Sequence, residues 1–314
     1  MSVLERGADV IGFDRAPCLE VARAGGKGAS LARMTALELP VPPGFVVAAS
    51  CLAEALPDGG AALRAELVAA GGSEDFAAAA ERAQRLVREL RFAERLREEI
   101  AAAYAALGRE EAVAVRSSAC AEDSETASFA GQQETYLHVR GVEPVLDRIR
   151  ECWASFFSER ALFYRARMGS LEDLRMAVVV QRMVDADVAG VLFTVDPTKG
   201  RRDRMVVESV FGLGEALVSG ELTPDRFVLS KDGRLKRTRL AAQPYAIVRH
   251  PEGGVQRRQL PPELGAAQSL DEEQLRELAR IARGLEDRLE QPQDIEWAIE
   301  ADDLFVLQAR PVTA

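Results

Sequence analysis

The sequence is poor in the residues that build disulfides, zinc sites and histidine relays. Its 314 residues include only two histidines, His138 and His250, and four cysteines, none of which forms a CxxC pair. A zinc site needs cysteine and histidine ligands clustered at short spacings, and the sequence offers no such cluster. We therefore expect reduced thiols in a cytoplasmic protein.

Long apolar runs and an excess of basic residues are also missing. No purely aliphatic run is longer than the four residues found at 177–180, whereas a membrane span needs about 20 apolar residues. The first residues lack a basic segment followed by a long apolar one, so we predict no signal peptide. The net charge of −10 argues against a nucleic-acid surface, which usually needs a basic face. We expect neither a membrane nor a nucleic acid as a partner.

The length and the mixture of segments predict the fold class. A chain of 314 residues exceeds one ordinary core, which predicts two lobes. Strand-like and helix-like segments are mixed without a steady βαβ rhythm, so the predicted class is α+β, or α/β. An alanine-rich stretch at about 52–107 is predicted to be helical, with one apolar stripe.

Periodicity predicts further elements that matter for the site. Strands are predicted at 111–116, 134–139 and 176–184, a polar loop at 117–133, a helix at 143–167, and a closing hairpin from 294–299 and 304–310. Another helix is predicted to follow Ser269, which fits a capping box with Glu272.

Lysine is scarce beside abundant arginine, and Lys27 stands among glycines in AGGKGASLARM, residues 24–34. This stretch heads a predicted helix, where backbone N–H groups and the helix dipole favour an anion. It is not a P-loop, because Val21 takes the place of the first glycine and Gly28 follows the lysine. It is not a dinucleotide fingerprint either, because Leu31 takes the place of the third glycine. The residues alone leave two alternatives, a phosphate contact and a plain tight turn.

Arg116 ends a predicted strand and opens the loop RSSACAEDSETASFAGQQETY. A flexible loop between two strands can close over phosphates. Gly131 would let its backbone come close, and Thr135 would add a hydroxyl. The alternative is an ordinary exposed loop with a surface arginine at the end of the strand.

The last predicted strand places Gln308 and Arg310 on one face, because strand side chains repeat every two residues. Glu296 joins that face if it pairs opposite Gln308, which needs an odd-length turn centred on Asp302. A carboxylate and an amide oxygen suit Mg²⁺, and an arginine beside them can grip a phosphate with two hydrogen bonds. Polar residues after the apolar run LFVL favour such a site over the alternative, a solvated sheet edge.

Several long stretches together carry a resemblance to a known family. They are GGKGASL, VPPGFVV, AVRSSACAEDSETASFAGQQETYL, VVQRMV, FGLGEALVSG, QDIEWAI and LQARPVT. They resemble the nucleotide-binding part of phosphoenolpyruvate synthase, pyruvate phosphate dikinase and rifampicin phosphotransferase. The stretches CWASFFSERALFYR, VLFTVDP and FGLGEALVSG look closest to the last branch. The resemblance implies an ATP-grasp fold that holds ATP between two lobes, here residues 1–183 and 184–314.

The resemblance also implies a reaction and a set of site residues. In this family the ATP domain transfers a phosphoryl or pyrophosphoryl group to a histidine of a separate swivelling domain, and ATP ends as AMP. That domain delivers phosphate to pyruvate, a drug or another acceptor. Arg116 and Arg310 are the implied catalytic residues. The matching motifs imply that Lys27 and Arg116 hold the ATP phosphates and that Gly131 and Thr135 lie in the loop that covers them. They imply that Gln181 lies near the adenine, together with the backbone of Met183 and Val184. They also imply that Glu296 and Gln308 bind Mg²⁺ and that Arg310 contacts the phosphates being cleaved.

The matching stretches end at LQARPVT, and neither His138 nor His250 resembles the phosphate-carrying histidine. We therefore expect the phosphohistidine and acceptor domains on a separate polypeptide, with this chain as the loading component. Two alternatives stay open. One is an ATP-binding regulatory module without turnover, and the other is an autonomous kinase that phosphorylates a small molecule directly.

Overall fold

The structure is a computed structural model that describes residues 9–73, 76–108, 110–120, 134–197 and 200–312. Helices and strands are mixed along the chain, which confirms the α+β class. The chain divides into two compact units. They comprise Met1–Arg33 with Pro43–Met183, and Met34–Pro42 with Val184–Ala314. The sequence predicts one boundary after residue 183, whereas the structure also assigns Met34–Pro42 to the second unit.

An antiparallel five-stranded sheet forms the base of the first unit. Its strands are β1 (Val10–Gly12), β2 (Gly44–Val47), β3 (Val113–Ala119), β4 (Thr135–Val139) and β5 (Met176–Arg182). Their order across the sheet is β1-β2-β5-β3-β4. Strand β5 is buried from Met176 to Gln181, as its β-branched residues predict. Strand β3 continues to Ala119, three residues beyond the predicted end at Arg116.

The described helices of this unit are α1 (Val21–Ala36, which runs into the second unit), α2 (Ser50–Ala55), α3 (Ala61–Ser73), α4 (Ala77–Arg88), α5 (Glu94–Leu107), α6 (Val142–Ser155) and α7 (Glu159–Arg167). Trp153 of α6 is fully buried, and its Nε1–H donates to the Met176 carbonyl at 3.2 Å, which ties α6 to β5. The single helix predicted at 143–167 is wrong. Ser158 caps a new helix there, because its Oγ accepts from the Ala161 amide.

A six-stranded antiparallel sheet forms the base of the second unit. Its strands, in chain order, are β6 (Val188–Phe193), β7 (Arg204–Phe211), β8 (Asp225–Ser230), β9 (Leu235–Arg239), β12 (Gln293–Glu300) and β13 (Asp303–Pro311). Their order is β13-β12-β6-β7-β8-β9. The strands β10 (Tyr245–Arg249) and β11 (Val255–Gln259) form a separate two-stranded hairpin.

The described helices of the second unit are α8 (Glu215–Val218), α9 (Pro262–Gly265) and α10 (Glu272–Leu289). Helix α10 starts at the predicted place, but its cap is Asp271 in a capping box with Gln274, so the predicted Ser269–Glu272 box is wrong. Ser269 is instead buried, and its hydroxyl donates to Asp225 at 2.8 Å. That buried carboxylate needs hydrogen bonds more than the exposed helix end does.

Across the described ranges, no helix is both long enough and apolar enough to cross a membrane.

Candidate functional site

Three of the predicted site residues in the first unit share one face of its sheet. Arg116 on β3 lies directly opposite Thr135 on β4, and Gln181 on β5 lies directly opposite Ala114 on β3. Directly opposed residues point to the same side, and Ala114 and Arg116 are two positions apart. The hydrogen-bonded register therefore brings Arg116, Thr135 and Gln181 to one side of the sheet.

Helix α1 lies over that same side, which we call the α1 face. A Cβ atom on Gly28 would lie 2.9 Å from Val46 and 3.7 Å from Val179, and Val46 and Val179 share the side of Arg116. The sequence places the glycines before a helix. In the structure they do head a helix, but another helical segment precedes them, and Gly25, with φ +67° and ψ 175°, forms the kink that joins the two within α1.

The interruption requires a residue without a Cβ atom at position 25. A Cβ atom there would lie 2.2 Å from the carbonyl oxygen of Ser118, and the positive φ is itself unfavourable for other residues. The amide of Gly28 donates to the hydroxyl of Ser118 at 3.2 Å. In this structure the glycine-rich stretch is therefore a close docking point of α1 on β3, and Gly28 donates to the protein.

Lys27 lies beside this docking point. Its side chain is 6% exposed, and its Nζ donates to the carbonyl oxygen of Ser117 at 2.8 Å. Because Ser117 directly follows Arg116, the Lys27 ammonium is held next to the backbone of Arg116, the predicted phosphate contact on β3. The scarcity of lysine in the sequence pointed to this position, whereas the partner carbonyl could not be read from it.

Three further predicted site residues, Gln181, Met183 and Val184, lie at or just after the end of β5. Gln181 is 3% exposed on the α1 face. The amide of Met183 donates to the carbonyl of Ala112 at 2.8 Å, so that backbone donor serves the sheet. Val184 is buried and begins the main part of the second unit. Gly131 lies outside the described residues.

The closing hairpin brings Glu296 and Gln308 directly opposite each other, but the predicted odd-length turn is wrong. Ala301 and Asp302 form a two-residue turn, with φ of +49° and +73°. Such a turn would by itself pair Glu296 with Leu307. A β-bulge between Trp297 and Glu296 absorbs Leu307 and restores the pairing with Gln308.

This bulge determines on which side of the sheet Gln308 and Arg310 lie. With it, Gln308 and Arg310 fall on the side of Glu296, and without it they would fall on the opposite side. The opposite side carries Ile295 and Trp297, which are both buried. We call the side that carries Asp294, Glu296, Gln308 and Arg310 the polar face of the second sheet.

Arg310 is fixed on the polar face by Asp294, a residue that sequence reasoning missed. The Arg310 Nε and Nη2 atoms each lie 2.9 Å from Oδ2 of Asp294, its directly opposed neighbour. Burial raises the pKa of the Asp294 carboxyl, and the charge of Arg310 opposes that rise. The sequence DIE, residues 294–296, contained the signal for this residue, because Asp294 lies two positions from Glu296 and therefore on the same side of the strand.

The polar face continues across the neighbouring strands. One row of paired residues runs from β12 across β6 and β7 to β8. It consists of Glu296, Val191, Glu208 and Arg226, each directly opposite the next. Arg226 is 3.6 Å from Glu208 and 3.7 Å from Asp196. This row was also missed, because it depends on pairing between strands that are far apart in sequence.

The donor set on the polar face fits Mg²⁺. Glu296 and Gln308 offer a carboxylate and an amide oxygen, the hard ligands that Mg²⁺ takes. Asp294 is 8% exposed, and its Oδ1 makes no hydrogen bond with any described residue. In the described part of the chain, no three His, Cys, Asp or Glu side chains cluster as a metal cage. A cation here would therefore take its other ligands from phosphates and water, as Mg²⁺ commonly does.

Comparisons with known proteins agree with a nucleotide site of this kind. The family described as "Pyruvate phosphate dikinase, AMP/ATP-binding domain" matches residues 21–314. A probable phosphoenolpyruvate synthase of Methanothermobacter thermautotrophicus is 39% identical over 305 residues, which cover 94% of this chain and 44% of that protein. A rifampicin phosphotransferase of Bacillus subtilis is 45% identical over 207 residues, which cover 66% of this chain and 24% of that protein.

A third relative is named after the synthesis of a different compound. The prodigiosin synthesizing transferase of Serratia marcescens is 40% identical over 296 residues, which cover 94% of this chain and 32% of that protein. The chain spans less than half the length of each of these relatives.

The matches define a nucleotide-binding domain. The chain belongs to the pyruvate phosphate dikinase family, in which it is the AMP/ATP-binding domain, and the resemblance to phosphoenolpyruvate synthase and rifampicin phosphotransferase is confirmed.

Proposed function

We propose that this chain is the ATP-dependent loading component of a phosphotransferase. It binds Mg-ATP in an ATP-grasp fold and transfers a pyrophosphoryl group to a histidine on a separate swivelling domain or protein. Once the γ phosphate has been transferred from that histidine to water or inorganic phosphate, the domain delivers the remaining phosphoryl group to pyruvate, a rifamycin-like drug or another small acceptor. The family match and the names of the relatives support this proposal.

The α1 face would hold the nucleotide from the first unit. Lys27 and Arg116 would neutralise phosphate charge, and Thr135 would add a hydroxyl donor beside Arg116. Gln181 would contact the adenine. The support is that Arg116, Thr135 and Gln181 share one side of the sheet, with Lys27 docked beside them. The roles of Gly131, Met183 and Val184 rest on the resemblance.

The polar face would hold the reacting phosphates. Glu296 and Gln308 would bind Mg²⁺, which would neutralise charge on the phosphate oxygens. Arg310 would hold the phosphates that separate during transfer, with Asp294 keeping its guanidinium in place. The single observation that carries the proposal is the pairing of Glu296 with Gln308, with Arg310 on the same face.

Formation of AMP fixes which bond breaks. An unprotonated ring nitrogen of the acceptor histidine attacks the β-phosphorus with its lone pair. The bond between the β-phosphorus and the α,β-bridging oxygen breaks, and AMP leaves with that oxygen. The histidine keeps the β and γ phosphates. This transfer needs positioning and charge neutralisation, and it needs no nucleophile from this chain.

The test uses ATP labelled in its β-phosphate. The chain is incubated with Mg²⁺, labelled ATP and the purified swivelling-histidine domain of a longer relative. We expect acid-labile label on that domain and an equal amount of AMP. Label that stays in solution while AMP or ADP accumulates would reject the histidine acceptor. ATP binding without any transfer, to this domain or to one encoded beside the chain, would favour the regulatory alternative.

A further inference from the structure

Ser118 occupies a special place between β3 and α1. Its side chain is fully buried on the α1 face, two positions from Arg116 on the same strand. The Ser118 Oγ donates to the carbonyl of Ala24 at 2.9 Å and accepts from the amide of Gly28 at 3.2 Å. One hydroxyl therefore holds both sides of the interruption at Gly25.

The interruption creates a need that Ser118 meets. Helix α1 restarts after Gly25, and the first amides of a helix have no partner inside it. An N-cap side chain normally accepts from such an amide and comes from the residue just before the helix. Here the accepting hydroxyl comes from a neighbouring strand, so the cap also ties α1 to β3.

The same contact determines where Lys27 lies. Lys27 directly precedes Gly28, and its ammonium is bonded to the carbonyl of Ser117, the neighbour of Ser118. The backbone and the ammonium are thus both held by β3, within two residues of Arg116. A shift of α1 on β3 would move Lys27 relative to Arg116.

We propose that Ser118 is a positioning residue for ATP, which sets Lys27 beside Arg116 through its two hydrogen bonds to α1. The inference rests on the proposed function, because it names what aligns the phosphate contacts of the α1 face. Ser118 does not touch the nucleotide in this account. The second serine of RSSA thus has a role that its position in the sequence does not reveal.

The test is a double-mutant cycle on Mg-ATP affinity, measured by calorimetric titration. Ser118→Ala removes both hydrogen bonds and should weaken binding by about tenfold, the size expected for one misplaced charged contact. In a Lys27→Ala background the same change should alter affinity by less than about twofold, because the group that it positions is gone. Ser209→Ala is the control, since it removes another fully buried strand serine, which bonds to Ser269 at 2.7 Å in the second unit.

The outcomes separate the inference from the proposed function. Equal losses from Ser118→Ala with and without Lys27 would overturn the positioning role, and so would no loss at all. A wild-type chain that does not bind Mg-ATP would overturn the proposed function and this inference together. If Ser118→Ala does not fold, Ser118→Cys replaces it, because a thiol of similar size bonds more weakly and should give the same pattern of losses.

Discussion

Arg310 is oriented on the polar face by its two contacts with Asp294. The arginine side chain is 55% exposed although two of its nitrogens are bonded to Asp294. We predict that Arg310→Ala abolishes phosphoryl transfer to the histidine acceptor while the far-ultraviolet circular dichroism stays that of the wild type. The reason is loss of charge at the reacting phosphates, where one such group contributes roughly 10²–10³-fold to the rate.

Arg310→Lys is the matched variant for this prediction. A lysine keeps the charge but has no planar fork, so it cannot keep both contacts to one carboxylate oxygen. We expect a transfer rate between those of the wild type and Arg310→Ala. Wild-type rates in the alanine variant would remove Arg310 from the reaction.

Glu296 is predicted to set the magnesium dependence. We expect Glu296→Ala to raise the Mg²⁺ concentration for half-maximal transfer by roughly tenfold or more, because one of two protein oxygens is lost. The control is Glu221→Ala, which removes an exposed carboxylate that pairs with Arg257 in the same unit. A magnesium titration of Glu296→Ala that overlays the wild-type curve would refute the ligand role.

The cysteines provide a prediction that depends on pH. Burial raises the pKa of the Cys18 and Cys51 thiols from 9.0 to about 12, and it also raises the pKa of Cys152, whereas Cys120 is half-buried. At pH 8 a thiol reagent should modify Cys120 in the folded chain and reach the other three only in denaturant. Rapid modification of all four in the native state would contradict this.

The same shifts have a consequence for stability. The folded pKa values of Cys18 and Cys51 lie above those of the unfolded chain, so the unfolded state releases these protons first as pH rises. Their contribution to stability is complete below about pH 9 and is lost between about pH 9 and pH 12. In the wild type, the urea midpoint should fall as the pH rises from about 9 to about 12, and replacing both cysteines by alanine should make this fall smaller. An unchanged fall would show that the two thiols do not contribute to it.

At the scale of elements, the turn of the closing hairpin carries strain that can be relieved. Ala301 and Asp302 both have positive φ, as a type I′ turn requires, and Asn-Gly is the favoured pair there. Ala301→Asn with Asp302→Gly should raise the free energy of unfolding by about 1 kcal/mol. The measurement is a urea titration, and a lower midpoint would show that the turn is not of this type.

Helix α7 is anchored by one buried arginine. Arg165 donates to the carbonyls of Phe156, Ser170 and Leu171, and burial lowers its pKa to about 10. Arg165→Lys should lower the free energy of unfolding by about 2 kcal/mol, because an ammonium cannot serve the same carbonyls. Arg167→Lys on the exposed side of α7 is the control and should change stability by less than about 0.5 kcal/mol. Equal effects of the two would refute the anchoring role.

The elements also show how far sequence reasoning reaches here. The hairpin follows from alternation and composition, whereas the pairing of Glu296 with Gln308 was predicted only on the condition of an odd-length turn. The bulge at Leu307 could not be predicted, because a two-residue turn with a bulge and a three-residue turn give the same pairing. The true cap of α10 was missed since Ser269 and Asp271 both fit, and burial beside Asp225 decides between them.

At the scale of the whole molecule, the predicted contacts are distributed over both units. Lys27, Arg116, Thr135 and Gln181 belong to the first unit, and Glu296, Gln308 and Arg310 belong to the second. Arg116, Thr135 and Gln181 share one face of the first sheet, with Lys27 on the helix that lies over it, and Glu296, Gln308 and Arg310 share one face of the second. The sequence predicts the shared face of Gln308 and Arg310, whereas the face of the first sheet depends on the pairing of β3 with β5, which are far apart in sequence. The residue types could be predicted, since phosphate and Mg²⁺ require basic groups and hard oxygen ligands.

The division of labour with a histidine partner is the central claim at this scale. The proposal rests on the match of residues 21–314 to the AMP/ATP-binding domain of the pyruvate phosphate dikinase family. A loading component should bind Mg-ATP and leave it intact until the acceptor histidine is present. A complete kinase should turn over alone.

The most direct test is to mix the purified chain with Mg-ATP, titrate the binding and separate the nucleotides over time. We predict tight binding with ATP left intact, and AMP formation only after a swivelling-histidine domain is added. Steady release of ADP or AMP by the chain alone would contradict it, because the chain would then complete a reaction without the partner.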